Sequence, residues 1–210
     1  MKKLYLPILL LFFTLLNNTQ LSYAQKESEG GGGSKNNNTN TNNTNTNNNN
    51  TNTNIAKEYN PFGNRIGVEG LYSMDIAPYL DETNDLNDEA SLQYNNTSKE
   101  VYIIVIDDDK NAIGDEYNLS SYFNFAIGNI KAGISGATVT GQKTFTLPSG
   151  STCQQAIVTG SFNGIGVYYI LSAIETPTHF YQALSWTLKE NASLYGNDMQ
   201  EMIKSFKQTK

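Results

Sequence analysis

Apolar and β-branched residues follow a strand-like pattern most clearly in residues 151–188, where short turn-forming stretches interrupt them. The pattern predicts three strands, at residues 153–162, 166–175 and 180–188. The predicted turns are Asn163-Gly164 and Thr176-Pro177-Thr178. Strands joined by such short turns pair antiparallel. We therefore expect this meander to form the centre of the folded region.

The residues ahead of the meander predict further strands and one helix. Strands are expected at residues 71–77, 90–94, 101–106 and 137–147, and the acidic residues 81–89 should form an exposed loop. Residues 101–106 read VYIIVI, which is typical of a strand buried on both faces. A helix is predicted between residues 115 and 133, with Asn118 or Ser120 as its N-cap and Gly133 at its end. Its buried stripe comprises Leu119, Tyr122, Phe123, Ala126 and Ile130.

A second amphipathic helix is predicted near the C-terminus. Its apolar stripe comprises Leu194, Tyr195, Met199, Met202, Ile203 and Phe206. Gly196 should interrupt it, and Asn197 with Gln200 resembles a capping box for a body at residues 198–207. The element order β-β-β-α-β-β-β-β-α predicts an α+β fold, with a central antiparallel sheet of about six to seven strands and helices packed on it.

The N-terminal pattern predicts an exported protein. Residues 1–24 combine a positive start, an apolar run and small residues before Ala24, as a secretory signal peptide does. Residues 25–57 are rich in Gly, Asn and Thr and lack the apolar side chains that a core needs, so we expect a disordered tether. A spacer, a glycosylated stalk and an aggregation-prone tract remain alternatives for this segment. Residues 58–210 should form one folded domain, either secreted or periplasmic.

Charge and cysteine content narrow the function classes. The chain has 14 Lys and Arg against 20 Asp and Glu, a net charge of −6, with no basic cluster. Such a chain repels nucleic acid, so we exclude nucleic acid as a partner. The apolar run is too short to span a bilayer, so we expect no stable membrane insertion after signal cleavage. Cys153 is the only cysteine, which excludes an intrachain disulfide.

The C-terminal third carries a family resemblance. The sequence FYQALSWT at residues 180–187, followed by a helix that ends MIKSFK at residues 202–207, resembles the PsbP/Mog1-like families, including bacterial DcrB-type proteins. The resemblance extends over about residues 59–210. It implies a layered domain with a central antiparallel sheet and helices on it. It implies no common catalytic residues, because members act as protein-binding or accessory modules.

An acidic run contains a candidate calcium site. The spacing D-x-D-x-N at residues 107–111, with an acid at the ninth position, places oxygen atoms as a calcium loop does. The candidate ligands are Asp107, Asp109, Asn111 and Asp115. Ala112 replaces the expected turn glycine, and Asn118 replaces the closing glutamate. The alternative is a solvated acidic loop before a helix N-terminus.

Enzyme chemistry would have to depend on Cys153 and His179, the only cysteine and the only histidine. The alternative, which we favour, is a small buried Cys153 and a His179 beside a turn. No G-x-S-x-G elbow, Walker lysine or zinc-ligand set is present. We therefore expect no catalytic residues and no cofactor apart from the calcium alternative.

Tyrosines suggest a binding role. Among the 13 tyrosines, Tyr168, Tyr169 and Tyr181 lie in the meander and are candidates for a binding face, with core packing as the alternative. Neighbours on a strand point to opposite faces, so one of Tyr168 and Tyr169 should be core. We expect an exported, non-enzymatic accessory or protein-binding module on a flexible tether, whose partner is another protein or envelope component. A calcium-dependent module is the alternative, and a Cys/His enzyme comes third.

Overall fold

A computed structural model of the protein describes residues 59–114 and 117–209. The predicted signal peptide and tether lie outside the described residues. The strands are β1 (Arg65–Val68), β2 (Tyr72–Asp75), β3 (Asp81–Glu82), β4 (Ala90–Asn96), β5 (Val101–Asp109), β6 (Ser135–Thr146), β7 (Thr152–Phe162), β8 (Ile165–Glu175), β9 (His179–Leu188) and β10 (Lys207–Gln208). The helices are α1 (Lys110–Ile113), α2 (Leu119–Gly133) and α3 (Ala192–Lys204), and a short 3-10 turn at Lys189–Asn191 precedes α3.

Seven strands form the main sheet in the order β3-β4-β5-β9-β8-β7-β6, with every neighbouring pair antiparallel. The predicted meander is confirmed as β7, β8 and β9, with ends within one residue of the prediction. Asn163 and Gly164 have φ angles of 48° and 81°. Two positive φ angles are what a type I′ hairpin turn requires. The Asn-Gly pair therefore fixes the register of β7 against β8.

The two faces of the main sheet bury separate apolar clusters, because successive side chains of a strand point to opposite sides. On one face, α2 covers Tyr102, Ile104, Tyr169 and Trp186. On the other, α3 and the small sheet cover Ile103, Val105, Ile170 and Tyr181. Since β5 is covered on both sides, residues 101–106 are all buried, as predicted. The predicted α+β fold with a central antiparallel sheet and packed helices is confirmed.

The small sheet has the order β1-β2-β10 and ties the two ends of the described chain together. The Arg65 guanidinium donates hydrogen bonds to the Tyr59 carbonyl at 2.7 Å, the Ser73 hydroxyl at 3.1 Å and the Ser205 carbonyl at 3.0 Å. The buried Asp75 carboxylate accepts from the backbone N–H groups of Phe62 and Asn64. The chain entering at residue 59 is thus held by β2 and the end of α3.

The C-terminal helix differs from the prediction in four ways. It ends at Lys204, and Lys207, which the prediction places in the helix, belongs to β10. It runs unbroken through Gly196, which is buried where a Cβ atom would lie 3.6 Å from the Tyr168 hydroxyl. Asn197 and Gln200 therefore lie inside the helix and form no capping box, and Gln200 donates to Gln155 at 3.0 Å. Leu194, predicted to be buried, is 66% exposed, because the buried stripe begins one turn later. No helix within the described residues is long and apolar enough to cross a membrane.

The predicted exposed loop at residues 81–89 is partly organised. Its first two residues form β3, while Leu86 and Asn87 are buried. The Gln93 side chain holds these two residues: its carbonyl accepts from both backbone N–H groups at 2.9 Å, and its amide donates to the Asn87 carbonyl at 2.6 Å. The buried Gln93 amide therefore satisfies the backbone groups of this loop that would otherwise bond within a helix or strand. The acidic composition of the loop gives no indication of this contact.

Candidate binding groove

An open groove of about 930 Å³ lies at one end of the main sheet. The turns β6–β7 and β8–β9 form two of its walls, and β10 with the Ser73 side chain of β2 lies beside them. In an antiparallel meander, alternate turns lie at the same end of the sheet, which brings these two together. The lining residues are Ser73, Lys110, Ser149, Gly150, Ser151, Thr152, Glu175, Thr176, Pro177, Lys207, Gln208 and Thr209.

Backbone hydrogen bonds fix both turns. In the β6–β7 turn, Leu147 N–H donates to the Ser151 carbonyl at 2.9 Å, and Gly150 N–H donates to the Leu147 carbonyl at 2.8 Å. Gly150 has a φ of 96°, which favours glycine there. In the β8–β9 turn, the Thr176 hydroxyl and N–H both donate to the His179 carbonyl at 3.0 Å. The groove therefore has preformed walls.

Lys110 links the rim of the groove to the sheet. Its ammonium forms an ion pair with Glu175 at 2.8 Å and lies 4.5 Å from the centre of the Phe180 ring. Its backbone N–H donates to the Thr178 carbonyl at 3.0 Å. Both charged groups are partly exposed, so water screens the pair and it contributes about 1 kcal/mol or less to stability. Its main effect is to hold the end of β5 against the β8–β9 turn.

The lining of the groove consists mostly of hydrogen-bonding side chains. Hydroxyl groups and the Gln208 amide supply hydrogen-bond donors and acceptors along the groove, and two lysines and one glutamate supply charge. The twelve lining residues include neither Cys153 nor His179. The groove can therefore hydrogen-bond an extended polar chain. The sequence does not predict the groove, because its lining residues form no motif. It does indicate that the β6–β7 and β8–β9 turns lie at the same end of the sheet, since they are alternate turns of a meander.

Three of the four candidate calcium ligands lie in the described part of the chain, Asp107 and Asp109 on β5 and Asn111 on α1. Asp107 and Asp109 belong to β5, where alternation places both on the same face. The Asp109 carboxylate caps α1 by accepting from the Asn111 N–H at 2.8 Å. Among the described residues, no three His, Cys, Asp or Glu side chains cluster as a metal site does. Asp115 lies outside the described residues, so the calcium site stays a prediction.

Asp108, between the candidate ligands, points to the opposite face and contacts α2. Its carboxylate accepts a short hydrogen bond from the Tyr122 hydroxyl, and the Tyr122 ring stacks on Phe180 at 4.8 Å. Burial raises the pKa of the Asp108 carboxyl, an effect that the hydrogen bonds from Tyr122 and Gln182 oppose. This polar contact fixes the start of α2 on β5. Sequence reasoning treated Asp108 only as part of an acidic run.

Cys153 and His179 are not brought together. Cys153 lies on β7 and His179 on β9, with β8 between them; Cys153 is in line with Tyr181, so its backbone is roughly 12 Å from that of His179. Cys153 is 0% exposed, and burial raises the pKa of its thiol to about 12. His179 stacks on Tyr181 at 5.7 Å, and its Nδ1 lies 2.9 Å from the Thr178 hydroxyl. The sequence-based preference for a buried, hydrophobic Cys153 agrees with this placement.

The three candidate tyrosines do not form an exposed face. Tyr169 is buried against Trp186, with ring centres 6.0 Å apart, on the α2 side. Tyr181 is buried on the other side, where it contacts Tyr72 at 5.2 Å and Phe206 at 4.8 Å. Tyr168 is half-buried under Gly196 of α3. Both faces of the sheet are covered, so core packing, the alternative weighed above, accounts for Tyr169 and Tyr181.

Comparisons with known proteins identify the fold. No family model matches the sequence, and no curated protein matches it. The crystal structure of LpqN, involved in cell envelope biogenesis of Mycobacterium tuberculosis, has a TM-score of 0.53 and 14% identity, and the match covers 70% of this chain and 90% of LpqN. The solution structure of cyanobacterial PsbP (CyanoP) from Synechocystis sp. PCC 6803 has a TM-score of 0.49 and 9% identity, with coverage of 69% and 95%. The chain shares the fold of LpqN, and the resemblance expected from the sequence is confirmed at the level of the fold.

Proposed function

We propose that the protein is an exported, non-enzymatic accessory module that binds an extended segment of another envelope protein in the groove. The observation that carries this proposal is the groove itself: about 930 Å³, open, walled by two hydrogen-bonded turns and lined mainly by hydroxyl and charged side chains. An extended peptide has backbone N–H and C=O groups that such a lining can satisfy. Preformed walls reduce the entropy lost on binding.

Two further observations support a binding role over catalysis. The only thiol is buried with a raised pKa, which makes it a poor nucleophile. The only imidazole is separated from this thiol by strand β8, and it does not line the groove. An envelope location agrees with the signal-like residues 1–24 and with the description of LpqN as involved in cell envelope biogenesis.

Groove-filling variants test the proposal. Ser149→Trp places a large ring in the exposed β6–β7 wall, and Ser98→Trp places the same ring on the exposed β4–β5 turn at the opposite end of the sheet. Each purified variant, held on a resin, is crosslinked to proteins of the envelope fraction, and the bound proteins are compared with those of the unsubstituted chain. Ser149→Trp should reduce the recovered partner at least about fivefold, because steric exclusion from a central site usually costs well over 1 kcal/mol. Ser98→Trp should leave recovery unchanged.

Equal recovery with both variants would remove the groove from the proposal. Recovery of a polysaccharide in place of a protein, with the same sensitivity to Ser149→Trp, would replace the protein partner by a glycan. Thermal unfolding of both variants controls for misfolding, and both sites are exposed turn positions where substitutions cost little.

A further inference from the structure

The two edges of the main sheet differ sharply. At one edge, β3 has only two residues, Asp81 and Glu82, and both are exposed acids. Short, charged strands are a common protection against pairing with another chain. At the other edge, β6 has twelve residues, SGATVTGQKTFT, with Lys143 as its single charge and no acid. Within the described residues, no strand pairs with the outer side of β6.

The hydrogen-bond pattern shows which groups of β6 point outward. Leu147 N–H donates to the Ser151 carbonyl, so the pairs Phe145–Cys153 and Lys143–Gln155 are the hydrogen-bonded pairs of the β6–β7 ladder. Thr144 and Thr146 fall between them. Their N–H and C=O groups therefore point away from β7, towards the open edge. A shift in register between Thr140 and Lys143 ends this regular stretch on its N-terminal side.

We infer that two copies of the chain associate through β6, with residues 143–147 pairing antiparallel about Phe145. In this register Thr144 of each copy faces Thr146 of the other, and each of these two pairs exchanges two backbone hydrogen bonds. Phe145 faces its own counterpart in a non-hydrogen-bonded pair, where side chains approach most closely. The arrangement is a closed twofold dimer that joins the two seven-stranded sheets.

The segment complements itself, which favours a second copy as the occupant of this edge: Thr144 faces Thr146, Phe145 faces Phe145, and charge does not oppose the contact. The whole chain carries a net charge of −6, so two copies repel over most of their surfaces. The β6 surface, which has one lysine and no acid, is an exception. A lysine on an edge strand usually opposes pairing. Here Lys143 faces Leu147 of the other copy, so the two lysine backbones lie on opposite sides of the axis, and each ammonium lies 5.1 Å from the centre of its own Phe145 ring.

Analytical ultracentrifugation of the exported chain over a concentration series tests the inference. Because the strand contact is short, self-association should occur at concentrations on the order of 100 µM. Thr144→Pro removes an outward N–H and no bond of the β6–β7 ladder, so it should weaken association about tenfold or more. Thr144→Ala retains that N–H and should associate like the unsubstituted chain. Circular dichroism establishes that both variants fold.

A cysteine crosslink tests the register independently. In a Cys153→Ala background, Phe145→Cys should give a covalent dimer on mild oxidation, because a non-hydrogen-bonded antiparallel pair has Cα atoms about 4.5 Å apart. Thr138→Cys in the same background should stay monomeric, since its counterpart would lie far along the strand. A chain that is monomeric at every concentration, equal association of Thr144→Pro and Thr144→Ala, or equal crosslinking at both cysteine positions would overturn the inference.

Discussion

Removing the Tyr122 hydroxyl should destabilise the protein more at alkaline than at acidic pH. Tyr122→Phe deletes the donor to the Asp108 carboxylate while leaving the ring stacked on Phe180. A hydrogen bond to an ionised group contributes about 1.5–3 kcal/mol, and a neutral one about 0.5–1.5 kcal/mol. The expected loss is therefore about 2 kcal/mol where Asp108 is ionised and about 1 kcal/mol where it is protonated.

The sign follows from two opposing effects on the pKa of Asp108: burial raises it, and the Tyr122 hydrogen bond lowers it by favouring the ionised carboxylate, so removing that bond costs most where Asp108 is ionised. Because burial raises this pKa above its ordinary value of 3.8, the folded protein binds the proton more tightly than the unfolded chain does. The contribution of Asp108 to stability is then fully present below about pH 3.8 and decreases as the pH rises through the folded-state pKa. Asp107 raises this pKa further and His179 lowers it. Glu89, whose own pKa is raised by burial and by the charge of Asp108, also lies near enough to interact.

Urea unfolding at pH 4 and pH 8 measures the effect. Tyr169→Phe is the matched control, because it removes a buried hydroxyl on the same face whose pKa is raised by burial alone. Its cost should be the same at both pH values. Asp108→Asn should abolish the extra cost of Tyr122→Phe at pH 8, since it removes the charge and keeps an acceptor. A Tyr122→Phe cost that is equal at both pH values, or larger at pH 4, would refute the role assigned to Asp108.

Three other predictions follow from the structure. Gly160→Ala should destabilise the protein by about 2–3 kcal/mol in urea unfolding, because its Cβ would lie 2.3 Å from Ile134 Cγ2. Gly128→Ala is the control on α2, where a Cβ meets nothing within 4 Å, and it should stabilise the protein by about 1 kcal/mol. Cys153 should react with a thiol reagent only after unfolding, since its side chain is buried and its pKa is raised to about 12; rapid labelling of native protein would contradict this. If the acidic run binds calcium, calorimetry should detect heat that Asp107→Asn reduces, and Asp88→Asn, in the other acidic loop, should have no effect.

The elements that the sequence predicts well are those that local pattern determines. The meander carries its turns in Asn163-Gly164 and Thr176-Pro177, and α2 carries its own N-cap, Asn118, whose side chain accepts from Ser120 and Ser121. In these elements, the residues that start or end a strand or helix are next to it in the sequence. Their positions in the structure match the prediction closely for that reason.

The elements that the sequence does not predict depend on distant partners. Strand β1 pairs with its neighbour β2, and Arg65 also ties it to Ser205, 140 residues away. The two-residue strand β10 exists only because β2 pairs with it. Gly196 suggested a helix break on intrinsic propensity, but packing against Tyr168 outweighs a cost of about 1 kcal/mol. The groove combines two turns of the meander with residues of β2, α1 and β10, so no local pattern could identify it.

The Arg65 contacts also determine how the domain responds to mechanical load. A pull on the chain at residue 59 acts first on the Tyr59 carbonyl, which Arg65 connects to β2 and to the end of α3. The load is therefore shared between the first and last parts of the described chain before it reaches the seven-stranded sheet. Because Arg65 also bonds to Ser73, which lines the groove, tension on the N-terminal side reaches one wall of the groove directly.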